Sequence, residues 1–263
     1  MENQTSDKIY VIKIGGNVID SPDATQQFLA RFASIPEGKI LVHGGGKIAT
    51  QVAERLGVAT QMVDGRRLTD APMLDIVTMV YGGLVNKKLV AGLQAQRCNA
   101  IGLTGADAGV ILARKRPVGE IDYGFAGDIE QVNAVQLQAF LNQGLTPVIA
   151  PLTADTHGQI LNTNADTMAS ATATALAQVG NATVILVYCF EKKGVLLDPS
   201  DDDSVITDID QDKYVQLKAD GIVSQGMIPK LDNAFAALQQ GVKEVHIIHA
   251  DHVAAHTGTR LTL

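Results

Sequence analysis

Six short runs dominated by apolar residues, separated by stretches long enough for helices, limit this chain more than any other feature. They cover residues 9–12, 39–43, 100–103, 147–150, 183–187 and 244–248. Each is too short for a buried helix, and none shows the strict alternation of a strand with one wet face. Such runs suit strands buried on both faces. Helical patterning follows over 24–32, 45–56 and 167–177. Strand and helix in alternation predict an α/β fold with a mostly parallel sheet covered on both sides. Residues 110–114, followed by polar residues, read instead as an antiparallel hairpin on the rim. No repeat of 20–50 residues is present.

Composition narrows what the fold is for. With 28 acidic against 21 basic residues the net charge is −7, and no long block of either sign occurs. A nucleic-acid binder or a protein held on anionic lipid needs a basic patch, so neither partner is expected. An apolar share of 46% with 19% charged residues excludes a disordered chain. Cys98 and Cys189 lie far apart in apolar runs and read as buried, reduced thiols. The polar, acid-bearing start is no signal peptide. Residues 167–190 carry no charge over a length that could span a bilayer. Gly180 and Asn181 divide that stretch into an Ala/Thr-rich helix, a turn and a buried strand. A soluble, cytoplasmic protein is expected.

In open parallel sheets ligands sit at the carboxyl ends of the strands. After the first strand stands Lys13-Ile14-Gly15-Gly16, and after the second His43-Gly44-Gly45-Gly46-Lys47, leading into a helix. Glycines let backbone N–H groups approach an anion, and a helix amino end adds positive partial charge. Neither cluster matches G-x-x-x-x-G-K-[ST] or G-x-G-x-x-G. Gly226-Met227-Ile228-Pro229-Lys230 opens a helix through Leu238, with Pro229 in its first turn. That places Lys230 at the positive end, unfavourable unless an anion offsets it. In Asn162-Thr163-Asn164-Ala165-Asp166, Asn164 or Asp166 is either a helix cap or part of a site. Gly65-Arg66-Arg67-Leu68-Thr69-Asp70 offers a guanidinium for a carboxylate, or a surface loop whose Thr69 or Asp70 caps the next helix. His246, His249, His252 and His256 crowd the last part of the chain, but no Cys or Glu completes a zinc pattern. The acidic run 201–203 reads as a solvated loop.

Taken in order, these segments, with Val85-Asn86-Lys87 and Gly102-Leu103-Thr104-Gly105-Ala106-Asp107, resemble the amino-acid kinase family over nearly the whole chain. The resemblance implies an open three-layer αβα sandwich with two parts. Residues 1–180 would bind an acylated glutamate and form a homodimer; residues 181–263 would bind ATP. The reaction implied is transfer of the γ-phosphoryl group of ATP to the side-chain carboxylate of N-acetyl-L-glutamate, in arginine biosynthesis. Residue by residue, Lys13 and Lys230 would neutralise the transferring group and Asp166 would hold both lysines. Backbone N–H groups of Gly16, Gly45 and Gly46 would receive its oxygens. Arg67 would clamp the substrate's α-carboxylate, with Asn162, Asn164, Gly45 and Gly46 beside it. Lys13, Gly15, Gly16, Gly226, Met227 and Lys230 would contact the nucleotide, and Mg2+ would be held mainly by its phosphates rather than by protein ligands.

Two departures from the family pattern bear on the expectation. In place of Thr/Ser-Asp after the strand that opens the nucleotide part, the chain has Tyr188-Cys189-Phe190-Glu191-Lys192-Lys193-Gly194, two residues longer and without the aspartate. Only about eight residues precede the first strand, whereas arginine-inhibited members carry an extra N-terminal helix. A plain homodimer without arginine feedback is therefore expected. An N-succinylated substrate, or a catalytically silent nucleotide or amino-acid sensor, are the alternatives.

Overall fold

Every one of the six apolar runs is a strand of a single sheet in the computed structural model, which describes residues 8–63, 65–180, 182–223 and 227–263. In chain order the strands are β1 (Lys8–Ile14), β2 (Gly38–His43), β3 (Met62–Val63), β4 (Arg66–Arg67), β5 (Ala100–Leu103), β6 (Ile111–Lys115) and β7 (Gly127–Val132). They continue with β8 (Thr146–Ile149), β9 (Leu152–Ala154), β10 (Ile160–Asn162), β11 (Thr183–Phe190), β12 (Asp208–Ile209), β13 (Glu244–His249) and β14 (Gly258–Leu261). The helices are α1 (Gly16–Asp20), α2 (Pro22–Ala33), α3 (Gly46–Arg55), α4 (Ala71–Val77), α5 (Asn86–Ala95), α6 (Ala134–Asn142), α7 (Ala165–Val179), α8 (Gln211–Ala219) and α9 (Ile228–Gln239).

The main sheet has eight strands in the order β12-β14-β13-β11-β1-β2-β8-β5. From β13 to β5 every pairing is parallel. The exception lies at the far edge, where β14 runs antiparallel to β13. Side chains of the central strands alternate between two apolar layers. Ile9 and Val11 join Val184, Leu186 and Tyr188 on one face. Tyr10, Ile12 and Ile14 join Ile185, Val187 and Cys189 on the other. Helices cover both layers, which is the expected αβα sandwich. Because β1 pairs with β11, the sheet runs unbroken across residue 180. Cys98 and Cys189 are both free and buried.

The rim hairpin exists and is larger than the sequence indicates. β6 pairs antiparallel with β7, and with β9 and β10 they make a second, four-stranded sheet beside the first. The membrane question also falls elsewhere than at 167–190. Ala71–Ala95 is one continuous helical rod, long and apolar enough by length and composition alone to cross a membrane. Met73, Ile76, Val77, Leu89 and Leu93 turn its apolar side into the core.

Register fixes where the site must be. Ile14 lies level with His43 on one side and with Cys189 on the other, and Cys189 lies level with Ile248. Four neighbouring strands thus end together, and the two glycine clusters leave the sheet side by side.

Candidate active site

The two glycine loops are tied to each other. The Gly44 N–H donates to the Ile14 carbonyl at 3.2 Å. Gly45 adopts φ +148°, and a side chain there would press on the Tyr81 ring at 3.1 Å. It is followed by α3, whose first turn carries no acidic residue. The leading N–H groups of a helix lack intrahelical partners, so this end is open to an anion. Gly15 precedes α1 at the end of β1, and a Cβ there would stand 3.9 Å from the Lys13 ammonium nitrogen.

A buried relay holds the second loop. His43 is fully enclosed, and its Nδ1 lies 2.7 Å from the Gly44 carbonyl. Asn86 donates from Nδ2 to His43 Nε2 at 3.2 Å and to the Val148 carbonyl at 2.9 Å. Lys87 in turn donates to Asn86 Oδ1 and to the Gly102 carbonyl. These partners fix the neutral tautomer with the proton on Nδ1. Burial pushes the imidazole down to about 4; the Gly44 bond opposes this and the Lys87 charge adds to it. His43 is therefore a neutral strut. Asn86→Leu leaves the His43 nitrogen and the Val148 carbonyl without their donor. We expect a loss of ~2–3 kcal/mol, seen as a melting midpoint lower by about 4–10 °C.

Beside the loops the structure gathers the three charged residues singled out from the sequence. Lys13 pairs with Asp166 at 2.7 Å, with side chains 11% and 26% exposed. Lys230 feels the same carboxylate. Burial lowers its pKa below the ordinary lysine range, Lys13 lowers it further, and Asp166 and Glu191 oppose them. Asp166 sits in the first turn of α7, where a carboxylate suits the helix end. Asn164 caps that helix, its Oδ1 accepting from the Thr167 N–H at 3.0 Å. The capping reading of Asn164 therefore holds, and the residue also faces the cavity described below. Pro229 does fall in the first turn of α9, which puts Lys230 at the helix's positive end.

Phe190 is named in the sequence only as part of the altered segment, with no role of its own. Its ring lies 4.1 Å from the Lys230 nitrogen and 5.9 Å from that of Lys13. A π face next to an ammonium group offsets part of the cost of holding two lysines close together. Phe190, the last residue of β11, thus supplies an aromatic shelf for the two lysines.

Two cavities flank this cluster. The first, about 170 Å³, is lined by Gly45, Gly46, Arg67, Tyr81, Asn162 and Asn164 among others. Arg67 is buried and donates to the Gly46 carbonyl at 2.8 Å and to Thr50 at 2.9 Å. Asn162 is held by Thr69 through a 2.9 Å bond, and Asp70, not Thr69, caps α4. The second cavity, about 300 Å³, has Phe190, Lys230 and Met227 at one end and Val195, Leu196 and Ile222 along its wall. Its apolar flank suits a flat base and its lysine end suits phosphates. Gly226 lies outside the described residues.

Tyr81 is the other residue the sequence reading missed. Between α4 and α5, Thr78–Val85 forms a wider π-helical turn, and this sets Tyr81 against Gly45 and into the first cavity. Such turns concentrate at functional sites. The signal available was Gly82-Gly83 in the middle of an apolar helix. The histidines of the last segment are engaged elsewhere: His246 bonds Glu244 at 2.8 Å and His256 stacks on Tyr10. Among the described residues no group of three or more His, Cys, Asp or Glu side chains is arranged to hold a metal. Asp202 and Asp203 pair with Lys192 and Lys193 on the surface.

A parallel sheet with glycine loops at its strand ends, two lysines on one aspartate and a cavity on each side defines a phosphotransferase-like site. The model of the amino acid kinase family matches residues 8–249, and the chain belongs to that family. It is 58% identical over 245 residues to acetylglutamate kinase of Cytophaga hutchinsonii, covering 93% of this chain and 92% of the relative. It is 54% identical over 255 residues to acetylglutamate kinase of Bacteroides thetaiotaomicron, covering 97% and 98%. Among solved structures, smu.665 from Streptococcus mutans UA159 superposes with a TM-score of 0.78 at 29% identity, covering 97% and 98%.

Proposed function

We propose that the chain phosphorylates the side-chain carboxylate of N-acetyl-L-glutamate with ATP, a step of arginine biosynthesis. The observation that carries this is Asp166, paired to Lys13 and within the field of Lys230, standing between a cavity of arginine and asparagine and one with an apolar wall. A carboxylate oxygen of the substrate attacks the γ-phosphorus, and the bond to the bridging oxygen of ADP breaks. The product is an acyl phosphate. A carboxylate nucleophile carries no proton to remove, so the site needs positioning and charge neutralisation rather than a base. The buried, neutral His43 fits that need, because it orients a loop and does not titrate near pH 7.

In this reading Lys13 and Lys230 meet the charge that builds on the transferring oxygens. Backbone N–H groups at Gly16, Gly45 and Gly46 donate to them, and Gly15 lets the chain turn next to Lys13. Arg67 takes the α-carboxylate, with Asn162 and Asn164 on the glutamyl backbone. The base lies along the wall formed with Met227, with residues 181–263 supplying most of the nucleotide contacts and residues 1–180 the acylglutamate contacts. Mg2+ supplies further charge neutralisation when bound. Asp166 is engaged by Lys13, so the donor set leaves the ion to the nucleotide phosphates. A cytoplasmic homodimer completes the proposal.

The test is coupled ATP turnover with N-acetyl-L-glutamate in the presence of hydroxylamine. Formation of the hydroxamate in proportion to ADP supports the assignment. Folded protein that binds ATP and yields no hydroxamate overturns it and favours the sensor.

A further inference from the structure

One wall of the cavity beside Lys230 is held from behind by a residue that does not line it. After β11 the chain runs out and back over residues 195–206 as a narrow arm. Leu196 and Val205 pair antiparallel across it. The Ile206 N–H donates to the Val195 carbonyl at 2.9 Å, and the Leu197 N–H donates to the Ser204 carbonyl at 2.8 Å. Gly194, Val195, Leu196 and Pro199 give this arm a side on the cavity of about 300 Å³ that also holds Phe190 and Lys230. Whatever fixes the arm therefore fixes one side of that cavity.

The arm is fixed unequally along its length. Far out, Lys192 pairs with Asp202 at 2.6 Å and Lys193 pairs with Asp203, all four side chains being exposed. Such pairs contribute little. At the base stands Thr259 of β14, which is buried. Its Oγ1 accepts from the Val195 N–H at 2.8 Å and donates to the Ile206 carbonyl at 2.7 Å. One hydroxyl thus joins both sides of the arm to the main sheet. Thr259 also lies level with Ile247 of β13, another residue of the cavity wall. The approach is close: a Cβ at Gly194 would stand 2.6 Å from Thr259 Oγ1 and 3.0 Å from its backbone nitrogen. Without the hydroxyl a buried donor and a buried acceptor lose their partner, and the arm must shift to reach water or another group.

We propose that Thr259 is a positioning residue for nucleotide binding. Through its two hydrogen bonds it sets Gly194, Val195 and Leu196 against the nucleotide base. It touches neither the nucleotide nor the transferring phosphoryl group, so it acts on nucleotide affinity and not on the chemical step. The inference rests on the kinase reading for the identity of the ligand.

The experiment measures the Kd for ADP by titration calorimetry, with kcat and both KM values under turnover. It compares the full-length protein with Thr259→Val, Thr259→Cys, Thr259→Ser and Leu261→Val. Valine keeps the shape and loses both hydrogen bonds, cysteine carries a weak donor and acceptor, and serine keeps the hydroxyl. Leu261 is buried on the same face of β14 and controls for a loosened strand. In Thr259→Val the Kd for ADP and the KM for ATP should rise about five- to thirtyfold, the span of one buried group left unsatisfied. There kcat and the KM for the acylglutamate should stay within about twofold, the pattern of a lost binding contact. Affinity should fall in the order serine, cysteine, valine, so the grading is readable even where valine does not fold. Leu261→Val should melt earlier and bind ADP as the wild type does. Unchanged ADP affinity in Thr259→Val would overturn the proposal. So would an equal loss in Leu261→Val, or a serine variant no better than cysteine. A wild type that binds no ADP would remove the nucleotide reading of the cavity and the proposal with it. A wild type that binds ADP and phosphorylates no acylglutamate would overturn the kinase reading, and the ADP comparison would still decide the role of Thr259.

Discussion

Replacing Lys230 with alanine should lower turnover by about 10²–10³-fold, the effect of removing one donor aimed at developing charge. The fold should survive. Lys230 lies in the first turn of α9 with its amine against Phe190, and its side chain makes no hydrogen bond among the described residues. Alanine is a better helix former than lysine, and a cation at a helix amino end is unfavourable, so the change removes a local conflict. We therefore expect an unchanged or slightly higher melting midpoint together with the collapse in rate. The pH profile separates a catalytic charge from a structural one. Burial, with the Lys13 charge, sets this ammonium below the ordinary lysine range. Its charged form is the active one, so wild-type turnover should decline with rising pH before a free lysine would titrate. That limb should move upward in Lys230→Arg, because a guanidinium does not lose its proton there. Near-normal turnover in the alanine variant would sink the assignment of Lys230, and an unmoved limb in the arginine variant would show that another group titrates.

The cluster that this variant disrupts shows why some of the site could be read from the chain and some could not. Strands β1, β2 and β11 are buried on both faces, so apolar residues run unbroken through their middles and the runs stand out without an alignment. The rule that ligands gather at strand ends then turned Gly15, Gly16, Gly45 and Gly46 from turn residues into site residues, and the register confirms that the two loops leave the sheet together. Lys13 and Asp166 were tied by resemblance alone, since 153 positions separate them (166 − 13) and nothing local announces a 2.7 Å contact. Phe190 stayed invisible for a different reason. It continues an apolar strand, so its role as a shelf for Lys230 depends on where α9 begins, which is a tertiary fact. Tyr81 was hidden by the same kind of dependence: only packing against Gly45 gives the wider turn its purpose. The antiparallel strand β14 was missed because Gly258–Leu261 is four residues long and its place is set by β13 and β12 on either side rather than by its own composition.

Gly45 is the position where backbone geometry and chemistry constrain one residue at once, and Gly45→Ala should be the most damaging single-methyl change in the loop. Two penalties add. A φ of +148° lies where residues with a Cβ are rarely found, at a cost of ~1–3 kcal/mol. The new methyl would also meet the Tyr81 ring at 3.1 and 3.3 Å and the Val85 side chain at 3.3 Å. Both neighbours are buried in the wider turn of the long helix and have little room to yield, adding ~1–3 kcal/mol of overpacking. The melting midpoint should fall by about 5–15 °C. Turnover should fall more than stability alone explains. Relief of the contact moves the Gly45–Gly46 backbone away from the phosphoryl oxygens, and a displacement near 1 Å is worth about 10²-fold. Gly57→Ala is the control: φ there is +73°, and a Cβ would meet nothing within 4 Å. It should show the conformational cost of ~1–2 kcal/mol with turnover intact. If Gly45→Ala melts like Gly57→Ala and keeps its rate, the loop does not present its N–H groups to the transferring phosphoryl group, and the anion cradle must be sought elsewhere.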